Sequence, residues 1–122
     1  MNCGWICLVE YPFTDGSGAK VRPVLVVSQD RYNQGGDVVV VPISSRTEPD
    51  DPYSVYVDAS SPIFRATGLR QSSGIKWNKP FTLSKRLLFS KLGILKPLLL
   101  AKVQAELVCL FSGSEPVVDD RV

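Results

Sequence analysis

The 122-residue chain contains no histidine. That removes the side chain that titrates nearest neutral pH, and with it Ser-His-Asp and Cys-His hydrolytic machinery. Cysteine is scarce as well. Cys3, Cys7 and Cys109 form an odd set that cannot pair completely, and without imidazole they fall short of the usual Cys/His zinc site. They read as small apolar packers in a reducing, cytoplasmic setting. No stretch approaches the roughly 20 apolar residues of a membrane span, and the start "MNCGWICLVEYPF" lacks a charged segment followed by a long apolar one. A soluble protein that is not exported and has no membrane partner is therefore expected. Divalent-metal chemistry lacks ligands too, because Asp50 and Asp51 are adjacent in one loop and Asp119 and Asp120 lie near the end. "DGSGAK" lacks the Gly-Lys-Ser/Thr ending of a Walker loop. Neither a metal nor a cofactor is expected.

A further absence is local. Between Ala59 and Ala105 there is no Asp or Glu, whereas Arg65, Arg70, Lys76, Lys79, Lys85, Arg86, Lys91, Lys96 and Lys102 supply nine positive charges. The formal net charge of +2 conceals this asymmetry. Such a distribution fits a face that attracts a polyanion, with a merely solvated surface as the plainer reading.

What is present reads mainly as strands. With 44% apolar residues the chain suffices for one domain, set at 1–112, followed by a polar, frayed tail over 113–122. Residues 5–11 are apolar and β-favouring and end at Pro12; "TDGSGAK" is a glycine loop; 23–28 form a second strand with Pro23 first. "DRYNQGG" is a turn. "DVVVVPIS", 37–44, is the continuous β-branched run of a strand buried on both faces, with Pro42 requiring a bulge or an edge. Strands follow at 54–58, 74–78 and 87–95, and "SSPIFRATG" holds one helical turn capped by Ser60 or Ser61 with Pro62 leading. After Lys96, a poor cap, the period changes. Pro97 opens a helix to about Ser112 whose stripe is Leu99, Val103, Leu107, Leu110 and Phe111, widened by Leu98 and Leu100 beyond what a lone helix needs. Six or seven short strands and one C-terminal helix predict a small curled sheet or barrel.

One hydrolysis requires neither imidazole nor metal, because RNA carries its own nucleophile in the 2′-hydroxyl. The protein has to orient that hydroxyl in line, neutralise charge on the phosphoryl oxygens and assist proton movement. In "KVRPVLVVSQ", Arg22 stands where a glycine loop meets a rigid strand, a placement that suits a bidentate phosphate donor. Ser44 and Ser45, at the exit of the buried run, offer hydroxyl and backbone donors at the same end of the sheet. Trp77, between Lys76 and Lys79, is placed to stack a base. Each has a plainer reading: Arg22 as the extended residue that a following proline favours, the serines as turn formers, and Trp77 as core.

"GWICLVEYPFTDGSG", "RPVLVVS", "VVVVPISS", "TGL" and "IKWNKPFTLSKRLLFSKLGIL" together resemble the MazF/PemK toxins of bacterial toxin-antitoxin systems, over about residues 4–111. The resemblance implies an SH3-like barrel with a C-terminal helix, a homodimer, and metal-independent endoribonuclease cleavage of single-stranded RNA to a 2′,3′-cyclic phosphate. By motif it makes Arg22 the catalytic arginine and Ser44 the catalytic hydroxyl, and it lines the RNA groove with Ser17, Lys20, Asn78 and Lys79. It also implies a cognate antitoxin whose acidic, disordered tail fills the groove. The loop before Arg22 is shorter than the commoner family form and lacks its Glu-Gln pair, and serine replaces the commoner threonine at Ser44. Two alternatives stand beside this reading: a non-enzymatic, CcdB-like toxin that binds gyrase through the end of the chain, and a family member that binds RNA or antitoxin without turnover.

Overall fold

Val38, Val40 and Val41 are fully buried, and they face opposite sides of one strand. That strand, β3 (Asp37–Ser44), is the hinge of the architecture. The computed structural model describes residues 1–12 and 19–113. In chain order the strands are β1 (Trp5–Pro12), β2 (Ala19–Val26), β3, β4 (Val55–Val57), β5 (Ser73–Ile75), β6 (Phe81–Ser84) and β7 (Leu88–Ile94). A short helix α1 (Phe64–Thr67) joins β4 to β5, and α2 (Pro97–Ser112) follows β7. The expected domain end at 112 thus coincides with the end of α2, and the expected tail lies, beyond Gly113, outside the described residues.

All pairings are antiparallel, in the order β4-β5-β3-β2-β1-β7, with β6 also on β3. On the side of β2 and β6, β3 helps enclose Cys7, Val9, Val24, Val26, Val38, Val40 and Leu83, the interior of an incompletely closed barrel. A single 3-10 turn, Lys85–Leu87, carries the chain from β6 to β7. On its opposite face β3 contributes Val41 and Ile43 to a second core with Ile6, Leu25, Val57, Ile75, Trp77, Leu95 and Val103, the last from α2. Burial on both faces accounts for the unbroken valine run. The fold is mainly β, as the sequence implies.

Where the structure differs, the reason is tertiary. β2 begins at Ala19, not Pro23, so Lys20, Val21 and Arg22 are strand residues paired to β1. Pro23 is tolerated inside β2 because pairing with β3 begins only at Val24, leaving Pro23 on a locally free edge. The strand expected at 74–78 ends at Ile75, and β6 was missed because Pro80 and the cations around it mask a four-residue run. Helix α1 starts at Phe64 without a side-chain cap. Ser60 instead donates to the Asp58 carboxylate at 2.8 Å, and Ser61 Oγ accepts the Ile63 N–H at 3.4 Å. On α2, Val103 is buried and Leu99, Leu100 and Leu107 pack against the second core, whereas Leu110 and Phe111 are exposed. Among the described residues no helix is long and apolar enough to cross a membrane.

Candidate functional site: a cleft where two strands part

The β2–β3 ladder ends at Val24 opposite Pro42. Beyond it β2 continues on β1, whereas β3 turns to β5 through Ile43 opposite Ile75 and Ser44 opposite Gly74. A cleft of about 370 Å³ opens there, lined by Arg22 and Val21 from β2, Ser45 after β3, and Leu69, Arg70 and Gln71 from the loop between α1 and β5. Two residues beyond the last pair, Arg22 and Ser44 occupy corresponding register positions on their strands.

The back of the cleft explains two sequence motifs at once. Gly68 of "TGL" lies in the left-handed region (φ 73°), and a methyl built on it would come 2.2 Å from the Leu92 carbonyl oxygen. Gly93 of "LGIL" reciprocates, its hypothetical methyl falling 2.2 Å from the Ala66 oxygen. The motifs are therefore one contact between α1 and β7, and Gly68, Leu69 and Leu92 beside it form cleft wall. Here glycine permits backbone-to-backbone approach.

Among the described residues, neither Arg22 nor Arg70 has an ion pair or side-chain hydrogen bond, and the cleft lining holds no carboxylate. The structure brings Arg22 and Ser45 into the cleft. Ser44 is not part of the cleft lining, and its Oγ accepts the Arg46 N–H at 3.2 Å. Lys20, exposed, stands two residues before Arg22 on the same face. Lys76 Nζ is engaged by Asp51 at 3.1 Å. The Tyr53 N–H and then Lys76 hold the Asp51 carboxyl below its ordinary pKa. Asn78 carries a buried, unpartnered Oδ1, and Lys79 is exposed. Trp77 is 7% exposed, in the core and edge-on to Tyr53, so it offers no stacking platform. Ser17 lies outside the described residues. The basic stretch does not form one face: Lys85 donates to the Asn33 carbonyl at 2.7 Å, and Lys91 sits 4.0 Å over the Trp5 ring. Sequence reasoning counted Arg70 only as one charge among nine; its place directly after "TGL" was the available signal. Among the described residues no cluster of His, Cys, Asp or Glu could hold a metal ion.

Residues 2–111 match the family of PemK-like, MazF-like toxins of type II toxin-antitoxin systems. The chain belongs to this family. No curated protein sequence matches it. Among solved structures it is similar to an endoribonuclease in complex with its cognate antitoxin from a mycobacterial species, at 24% identity and a TM-score of 0.71 over 95% of this chain and 99% of that one. It is also similar to the MazE–MazF complex (Form-II) of Deinococcus radiodurans, at 22% identity and 0.75 over 93% and 97%. The Mycobacterium tuberculosis toxin MazF-mt6 matches at 22% identity and 0.62, over 84% and 92%. Identities of this size establish the shared PemK/MazF fold.

Proposed function

We propose that this PemK/MazF toxin is an endoribonuclease that cleaves single-stranded RNA without a metal, by attack of the 2′-hydroxyl on the adjacent phosphate to leave a 2′,3′-cyclic phosphate. Family membership and the likeness to endoribonuclease structures support the activity. The observation that carries the chemistry is the Arg22 guanidinium, unpaired among the described residues, in a cleft whose described lining holds no carboxylate. Arg22 donates to the non-bridging oxygens as charge builds on them, and its planar fork matches two such oxygens. Ser44, at the corresponding position on β3, hydrogen-bonds a non-bridging oxygen, and Ser45 binds the RNA backbone. Lys20, on the face of Arg22, and Lys79 extend the electrostatic track. Lys76 contributes only if RNA displaces Asp51. Asn78 and Ser17 complete the groove by resemblance. Nothing in this scheme needs a cofactor.

The cognate antitoxin is proposed as a separate protein whose acidic, disordered segment occupies the same cleft, neutralising the arginines. A homodimer is proposed through the exposed apolar side of α2. Activity in the cytoplasm follows from an mRNA substrate. A gyrase-binding reading would rest on the last residues of the chain, which lie outside the described residues, and the matching family is the PemK/MazF one.

Incubation of the purified protein with single-stranded RNA in excess chelator tests the proposal. Cleavage with 2′,3′-cyclic ends is expected, and Arg22→Ala should lower the rate about 10²- to 10³-fold with the fold intact. Intact RNA, or equal rates for the variant, refutes it.

A further inference from the structure

We infer that Arg70 is a second RNA-phosphate site, holding the backbone phosphate next to the scissile one and so fixing where the strand lies across Arg22. This rests on the endoribonuclease reading above. Arg70 follows Leu69 and Gly68, and the backbone of Gly68 is packed against that of Leu92 in β7. The loop that carries Arg70 is thus anchored to the scaffold at its root. Arg22 projects from the other wall, on β2, which is paired to β1 along its length. Two guanidiniums therefore share one cleft of about 370 Å³, and among the described residues its lining holds no carboxylate and neither arginine has an ion pair. In the free protein they repel each other, and an anion bound between them relieves that repulsion. The volume falls in the range of small ligand sites, about 300–1,000 Å³, so the cleft takes a nucleotide-sized piece of a strand rather than a duplex. The rest of the lining fits such a guest. Gln71 and Ser45 offer uncharged polar groups, and Val21, Leu69 and Leu92 offer apolar surface to a ribose or base face.

Arg22 is assigned to the reacting phosphate because Ser44 stands at its corresponding position, whereas no β3 hydroxyl has that relation to Arg70. Arg70 thus binds the substrate equally in ground and transition states, and its loss should appear in KM rather than kcat.

The experiment compares wild type, Arg70→Ala and Arg70→Lys in steady-state cleavage of a short single-stranded RNA, and in binding of the same RNA with 2′-O-methyl groups, which cannot be cleaved. Arg70 is exposed, so thermal unfolding of the variants should match wild type. For Arg70→Ala the expected result is KM and Kd raised about 10- to 100-fold with kcat within about twofold. The slope of log Kd against log salt should fall by about 0.7, the share of one single-strand phosphate contact. Arg70→Lys, which keeps the charge and loses the fork, should fall between. Unchanged KM and Kd, a fall confined to kcat, or a loss of affinity for an acidic peptide with RNA affinity unchanged each overturns the assignment. If wild type cuts nothing, the nuclease reading fails, and binding of the methylated RNA still decides the Arg70 site.

Discussion

Ser44 and Ser45 are chemically identical neighbours, but Ser44 is the last residue of β3 and Ser45 the first beyond it. Ser44 stands at the register position of Arg22, whereas Ser45 lines the cleft with Arg22. Their replacements should therefore separate kinetically: Ser44→Ala is expected to lower kcat about 10²- to 10³-fold, as loss of one oxyanion donor does, while Ser45→Ala mainly raises KM. Single-turnover and steady-state cleavage assays on the two variants check this, and the reverse pattern would move the catalytic hydroxyl to Ser45. The sequence singled out Arg22, Ser44 and Ser45 because a proline-marked strand start and a strand exit are visible locally. It did not distinguish Arg70 or disqualify Trp77. The first needs the loop after α1 brought across to β2, and the second needs burial, which only packing creates.

At the scale of elements, the valine run, the helix opening at Pro97 and the β7 strand were legible because their periodicity is long and their apolar content high. Short elements were not. β6 has four residues, and α1 has four and lacks a side-chain cap, so local signals are weak and tertiary contacts decide. The α1–β7 contact shows how strongly. Gly93→Ala would force a methyl against the Ala66 carbonyl oxygen and the Thr67 backbone, neither of which can swing away. Overpacking at such a site should cost about 1–3 kcal/mol or more. Urea unfolding should show a lower midpoint with unchanged m. Because Gly68 and Leu92 line the cleft, cleavage should fall together with stability in this variant.

For the whole molecule, α2 decides what the surface offers. One side seals the second core through Val103, while Leu98 (84% exposed), Val108 and Phe111 (74% exposed) face outward on a 16-residue helix. That is more apolar surface than a monomer usually leaves uncovered on one element. Light scattering should return twice the chain mass, and Val108→Glu with Phe111→Glu should return the monomer without unfolding the barrel. A wild-type monomer at high concentration would count against the homodimer.

The sequence by itself determined which hydrolytic machinery is excluded and the class of fold. The absence of histidine excludes imidazole-dependent hydrolysis, and apolar periodicity dictates short strands closed by one helix. Only the tertiary structure decided where charge accumulates. Of nine cations in an acid-free stretch, Lys76, Lys85 and Lys91 are drawn into local partnerships, while Arg70 is carried to a cleft beside Arg22. The reason is physical: charge along a chain is additive, but its field depends on which backbones meet, and here two glycines let them meet.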